Sequence, residues 1–296
     1  MAGKSQHCAP LFDSSNKRDP QGGHRKNRLP PYGNDVPQGQ NEADAVGVIA
    51  MAALKKLNIL VTNDDGESEG LRILLSVAKR FGNAYAIIPN RQRSAVSGAL
   101  TLHKPLRLHK IDNNIYTLSG TPADCVIFAN YSGEFPKPDL VLSGINPGDN
   151  TGMESIFGSG TIGACWQSVL EGAPAIAFSI KKGKRQWHEK KWGNREGIMR
   201  KTAELVKELM PMLSKETFFS VNMPEEPEKA KIIYTNEFQT GKFITKVTKR
   251  EDPDGISYYW ISGAARKGGK GTDTWEVLEN GNITISELSL EFFKGE

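Results

Sequence analysis

Hydrophobic positions are unevenly spread along this chain. Residues 1 to about 46 carry almost no aliphatic side chains and are rich in Gly, Pro, Asn, Gln and charge. Such a composition buries too little apolar surface to offset the entropy of ordering. Residues 1–50 are therefore expected to be a disordered tail, and Met51, just before the first apolar run, makes an extended start or a non-native leader a live reading. From Leu57 onward, short apolar runs alternate with stripes at helical spacing. The runs predict strands at 57–62, 84–88 (closed by Pro89), 115–118, 140–143, 175–180 and 218–222. Between them, Leu71, Leu74, Leu75 and Ala78 mark one face of a helix over 70–81, and a longer amphipathic helix is predicted at 196–213. A third helix opens with Thr121 as N-cap, Pro122 at N1 and Asp124 at N3, and a fourth, 161–171, closes with Gly172 at C′.

This β-α alternation predicts an α/β fold with a doubly wound, mostly parallel sheet over 55–225. Residues 226–296 change character and are expected to form a β-rich extension that returns to the core. Runs at 243–250 and 256–262 flank Asp252-Pro253-Asp254-Gly255, a strong turn signal, so a protruding hairpin is predicted. Its aromatic run Tyr258-Tyr259-Trp260 would be costly to leave in water. It packs either on another subunit or back on its own domain.

Charge and composition narrow the class of protein. The formal charge of +4 arises from 38 basic and 34 acidic residues that are intermixed, which does not describe a surface for a nucleic-acid polymer. No apolar stretch approaches the roughly 18 residues of a membrane span, and no apolar leader precedes the tail. The three cysteines, Cys8, Cys125 and Cys165, are too far apart for a metal pair and too few for a disulfide framework. A soluble cytoplasmic protein is the expectation.

Candidate chemistry lies where predicted strands end. Asn63-Asp64-Asp65-Gly66 sets two adjacent carboxylates at the end of the first strand. Adjacent carboxylates repel and lose solvation, a cost that a cation offsets, although a turn and helix cap would use the same residue types. Asn90 to Gly98 follows the second strand with two arginines and two serines. Ser143-Gly144-Ile145-Asn146-Pro147-Gly148-Asp149-Asn150 follows another strand, and Gly158-Ser159-Gly160-Thr161 opens a helix. In a parallel sheet all four loops share one edge. Asp64, Asp65, the Ser94 hydroxyl and the Asn146 carbonyl would then form an all-oxygen set suited to Mg²⁺ or Mn²⁺. The amides and dipole of the helix start would face an anion, which points to phosphate chemistry. Each loop alone reads as ordinary turn or packing structure; their joint placement carries the expectation.

Other motifs fail. The first βα turn lacks G-x-G-x-x-G, and there is no H-E-x-x-H. Residues 263–271 resemble a P-loop only loosely: Gly269 stands where its lysine belongs and no Ser or Thr follows Lys270, so a flexible basic loop is expected. His103, His109 and His188 have no ligand pattern and are expected at the surface.

Taken in order, Asn63-Asp64-Asp65-Gly66, Arg91-x-Arg93-Ser94, Gly120-Thr121-Pro122-x-Asp124-Cys125, Ser143-Gly144-Ile145-Asn146-x-Gly148-x-Asn150 and Ser159-Gly160-Thr161 resemble the SurE family of metal-dependent 5′/3′-nucleotidases. The match runs from about residue 57 to 180. A weaker echo recurs at Gly271-Thr272-Asp273-Thr274-Trp275 and Ile283-Thr284-Ile285. The resemblance implies a Rossmann-like core and one divalent cation per subunit on Asp64, Asp65, Ser94 and Asn146. It also implies catalysis through Asp64, Asp65 and Asn146, with substrate phosphate met by Ser94, Gly144, Asn150, Ser159, Gly160 and Thr161. It further implies a nucleoside monophosphate substrate and a homodimer or homotetramer joined through C-terminal elements. One departure stands out: Glu67-Ser68-Glu69 occupy positions where the family has small, apolar or proline-containing residues. Two added carboxylates are expected at the pocket rim, weakening anion binding or altering metal preference.

Two alternatives share an acidic pair after strand one. A haloacid-dehalogenase-type phosphatase needs a nucleophilic Asp two residues before the second acid, where this chain has Asn63. A non-catalytic phospho-receiver module needs an acceptor Asp after its third strand and a late Lys, for which no convincing candidates exist.

Overall fold

A computed structural model describes residues 56–182 and 192–293. The predicted tail and His188 lie outside the described residues. In chain order the elements are β1 (Leu57–Thr62), α1 (Glu69–Ala78), β2 (Gly82–Pro89), β3 (Leu108–Asp112), β4 (Ile115–Leu118), α2 (Pro122–Tyr131), β5 (Leu140–Pro147), α3 (Met153–Gly158) and α4 (Gly160–Leu170). They continue with β6 (Ala175–Ile180), α5 (Arg195–Leu209), β7 (Thr217–Met223), β8 (Ile232–Tyr234), β9 (Phe243–Glu251), β10 (Ser257–Ala265), α6 (Asp273–Leu278) and β11 (Ile283–Ser289). The sheet order is β3-β4-β2-β1-β5-β6-β7-β11-β8. From β4 to β7 all six strands are parallel, β3 and β11 run antiparallel to their inner neighbours, and β8 pairs parallel with β11.

Strand alternation sorts the core into two layers. In β1, Ile59 and Val61 join one apolar cluster with Leu71, Leu74 and Leu205, while Leu60 joins the other with Val126, Ile162 and Cys165. Thus α1 and α5 cover one face and α2 and α4 the other, a doubly wound α/β sheet as expected. Each buried aliphatic side chain contributes about 1.5–3 kcal/mol relative to exposure.

Local chemistry sets the helix ends. Ser68 caps α1 by accepting from Leu71 N, and α2 has the predicted capping box, with Thr121 and Asp124 bonding each other's amides. The helix predicted at 196–213 ends at Leu209 and tightens into a 3₁₀ turn containing Pro211, which has no amide proton to continue the α ladder.

Short elements escaped the periodicity reading: β3, β8, α3 and α6 were not predicted. The basic stretch from 263 is not wholly loop, since Gly263–Ala265 complete β10. His103 and His109 are exposed, and Cys125 and Cys165 are buried free thiols. The hairpin β9–β10 pairs only with itself, and every residue of β10 is exposed. No helix among the described residues is long and apolar enough to cross a membrane.

Candidate active site

From β1 the chain winds through β2 to β4 on one side, then through β5, β6 and β7 on the other. The crevice between the carboxyl ends of β1 and β5 is therefore the topological switch point, where open parallel sheets hold ligands. The loops after β1, β2 and β5 all emerge on this edge.

The first loop is braced by Asn63. Its Nδ2 donates to Gly66 O (2.8 Å) and Ser68 Oγ (3.1 Å), and its Oδ1 accepts from Gly66 N (3.1 Å). Gly66 sits at φ +77°, where a side chain would be strained. The turn leaves Asp64 buried at 4 % exposure, with Oδ1 accepting from the Thr161 hydroxyl at 2.7 Å. The Gly160 and Thr161 amides, at the start of α4, also donate to Asp64. Burial raises the Asp64 pKa above the ordinary carboxylate range, and these donors pull against that rise. A Cβ on Gly160 would lie 2.8 Å from Asp64 Cβ, so glycine is what allows the helix end to approach the carboxylate. The helix start expected to face an anion thus already faces one, belonging to the protein.

Asp65 is held differently. Its Oδ1 accepts from Gln92 Nε2 at 3.3 Å, while its Oδ2 is buried without a hydrogen-bond partner. Burial, and then the neighbouring Asp64 charge, push its pKa up to about 7. Gln92 Nε2 also donates to Ser94 Oγ at 3.1 Å, which brings Ser94 beside Asp65. The loop after β2 is seated by Arg93 N on Asp64 O (2.6 Å), Arg93 Nε on Gly120 O (3.2 Å) and Ser97 N on Gly158 O (2.9 Å). Ala95 and Ser97 adopt φ of +57° and +54°, a conformation that non-glycine residues keep only when their surroundings impose it.

β5 runs on to Pro147 instead of ending at Ser143 as the apolar run predicts. Within its carboxyl end Gly144 takes φ +127°, where a Cβ would lie 2.2 Å from Phe178 O. The Gly144–Ile145 peptide is cis, and the register of β5 on β6 shifts between Ser143 and Asn146. Asn146 Nδ2 donates to Gly148 O at 2.6 Å, committing its nitrogen and keeping its carbonyl as the end suited to a cation. Asn150 is buried and braces the loop: its Nδ2 donates to Ser179 Oγ (2.9 Å) and its amide to Asn222 Oδ1 (2.7 Å). Ser159 Oγ accepts from Ile162 N (3.3 Å) and caps α4.

Direct contacts therefore join Asp64, Gly160 and Thr161, and Gln92 links Asp65 to Ser94. Gly144 and Asn146 lie at the carboxyl end of β5 and Asn150 in the loop after it, on the same edge. The donor set fits a hard divalent cation: two close carboxylates, one buried oxygen without a partner, a hydroxyl and an amide carbonyl. Among the described residues no group of three or more His, Cys, Asp or Glu is arranged to hold a metal. The two added glutamates each have a cationic partner. Glu67 pairs with Arg72, and Glu69, its side chain 9 % exposed, accepts from Arg195 Nε at 2.7 Å.

Sequence reasoning passed over four groups that shape the site. Gln92 lies in the loop after the second strand, where only the arginines and serines were given a role. Buried Lys242 forms an ion pair with partly buried Asp149, and Asp273 Oδ2 accepts from Gly152 N at 2.6 Å. Only Asp273 had a signal, in the Thr272-Asp273-Thr274 echo.

These features define a doubly wound α/β protein with an acidic, helix-capped site at its switch point. The family model for Survival protein SurE matches residues 59–249. The 5′-nucleotidase SurE of Pyrobaculum arsenaticum is 39% identical over 249 residues, covering 79% of this chain and 90% of that protein. The protein of the same name from Thermofilum pendens is 37% identical over 244 residues, covering 79% and 91%. The crystal structure of the SurE protein from Aquifex aeolicus aligns with a TM-score of 0.64 at 30% identity, spanning 80% of this chain and 100% of that one. The chain belongs to the SurE family.

Proposed function

We propose that this protein is a 5′-nucleotidase that hydrolyses nucleoside monophosphates, 3′ as well as 5′ esters falling within its reach, to nucleoside and phosphate. The observation that carries this reading is the buried, unpartnered Oδ2 of Asp65 beside the buried Asp64 carboxylate, at the switch point of the sheet. Asp64, Asp65, Ser94 and Asn146 would hold one Mg²⁺ or Mn²⁺ per subunit, which supplies Lewis acidity toward a phosphoryl oxygen and the attacking water.

The protein's own groups divide the remaining work. Asp64 is tied by Thr161 and the start of α4, so it acts as a fixed ligand. Asp65 has the free oxygen and is the group placed to accept a proton from water. Ser94 and the segment from Gly144 to Asn150 meet the phosphate, offering donors where charge grows on its oxygens. The Gly160 and Thr161 amides and the Thr161 hydroxyl are given to Asp64 and act through that carboxylate. No covalent intermediate is needed. The position a haloacid-dehalogenase nucleophile would occupy is Asn63, whose amide is fully used in bracing the turn. The enzyme works in the cytoplasm, on small substrates, with neither membrane nor nucleic-acid polymer as partner. It assembles as a homodimer or homotetramer through the exposed β9–β10 hairpin.

The test is phosphate release across a panel of nucleoside monophosphates with Mg²⁺, with Mn²⁺ and with a chelator. Release is expected with metal and absent with chelator. Undiminished release in chelator would remove the metal from the mechanism. A trapped aspartyl-phosphate on Asp64 or Asp65 would favour the dehalogenase-type alternative, and stoichiometric labelling by a phosphodonor without turnover would favour a receiver module.

A further inference from the structure

The root of the hairpin enters the scaffold of the site. Lys242, the residue before β9, is 4 % exposed. Its ammonium donates to Asp149 Oδ1, to Asp149 O at 3.2 Å and to Ser155 Oγ at 3.2 Å. Its amide and that of Phe243 donate to Glu154 Oε2 at 2.7 and 3.0 Å. Asp149 lies between Gly148 and Asn150, in the loop assigned above to the substrate phosphate.

This loop is held from outside. Gly148 N donates to Ile180 O, Asn150 N to Asn222 Oδ1, Gly152 N to Asp273 Oδ2 and Met153 N to Gln239 O. Lys242, Asp273 and Gln239 all come from the C-terminal extension. An apolar pair of similar volume would serve stability as well as a buried ion pair does. What the ammonium adds is direction, since its fixed donors reach side chain and backbone of one residue together.

We infer that Lys242 is a positioning residue, which sets the loop that follows Asn146 and carries Asn150, and couples the seat of the hairpin to the substrate site. The catalytic consequence rests on the proposed nucleotidase function; the effect on the loop does not. Two variants of the full chain separate positioning from charge cancellation. Lys242→Met strands the Asp149 carboxylate, whereas Lys242→Met with Asp149→Asn leaves a neutral pair of nearly the same shape. Three quantities are measured: melting temperature, kcat and KM for a nucleoside 5′-monophosphate, and amide hydrogen exchange over 148–153.

The single variant is expected to lose melting temperature, and its 148–153 amides to exchange roughly tenfold faster. The double variant is expected to regain most of the melting temperature. Its exchange should stay fast, with kcat/KM about tenfold below the parent and the loss mainly in KM. A double variant with parental exchange and parental kcat/KM would overturn the inference, because the ammonium would then only cancel a charge. So would faster exchange spread evenly over the sheet in step with melting temperature. If the parent releases no phosphate with either metal, the nucleotidase reading fails, and the exchange measurement alone decides the role of Lys242.

Discussion

The loops on the carboxyl edge of the sheet and the β9–β10 hairpin are both irregular additions to a regular core, but they are held in opposite ways. In the loops, polar groups are committed across elements: Thr161 to Asp64, Gln92 to Asp65 and Ser94, Asn150 to Ser179, Asp273 to Gly152. In the hairpin the cross-strand ladder from Phe243–Ala265 to Glu251–Ser257 is the main support, and a two-stranded ribbon by itself is marginal in water. Partners in that ladder share a face, so Phe243, Val247, Tyr259 and Ile261 form one apolar side, all of them exposed. The contrast bears on the role proposed for each region. Preorganised donors suit chemistry, where reorganisation during reaction is costly. An uncovered apolar ribbon suits docking, because only a partner removes its surface from water.

The largest expected effect bears on the preorganised side. Asp64→Asn or Asp65→Asn should lower metal-dependent phosphate release by at least about 10³-fold, roughly 4 kcal/mol of barrier, while circular dichroism stays unchanged. Full activity in both would end the assignment of these carboxylates. Gly160→Ala probes the packing behind them. Its methyl group would crowd the Asp64 side chain, and a displaced carboxylate should reduce kcat/KM by about 10²-fold. Overpacking should also lower stability, by about 1–3 kcal/mol. If melting temperature fell and activity held, the close approach would matter to folding rather than to the site. The smallest effect on catalysis is expected from the hairpin. Tyr259→Ser with Ile261→Ser should shift the particle to a smaller mass by light scattering and leave phosphate release per subunit within about threefold. An unchanged mass would mean that this face does not hold the assembly together.

Much of the core was legible because burial writes a period into sequence. The strands at Leu57–Thr62, Ile115–Leu118 and Ala175–Ile180 have the predicted bounds, and Thr121, Pro122 and Asp124 open α2 as their chemistry requires. β3 and β8 were not legible, since partly exposed strands three to five residues long at or near the sheet edges carry little apolar alternation. The hairpin was readable from its turn, and its uncovered faces show that it does not fold back on its own domain.

For the site, the sequence by itself determined the residue types: paired carboxylates, hydroxyls, amides and a glycine-bearing helix start, each at a strand or helix end. It also determined the family, through motifs kept in order along the chain. Only the tertiary structure decided how Asp64 and Asp65 differ, because that depends on which neighbour each oxygen meets. Thr161 is 97 residues from Asp64, and Gln92 is 27 residues from Asp65. The same holds for Glu67 and Glu69, which sequence set at the rim as bare charge and folding paired with Arg72 and Arg195. It holds also for Lys242, whose partner Asp149 lies 93 residues away. Local sequence sets propensity and period over a few residues; burial and pairing of polar groups depend on contacts that exist only once the sheet has brought distant loops to one edge.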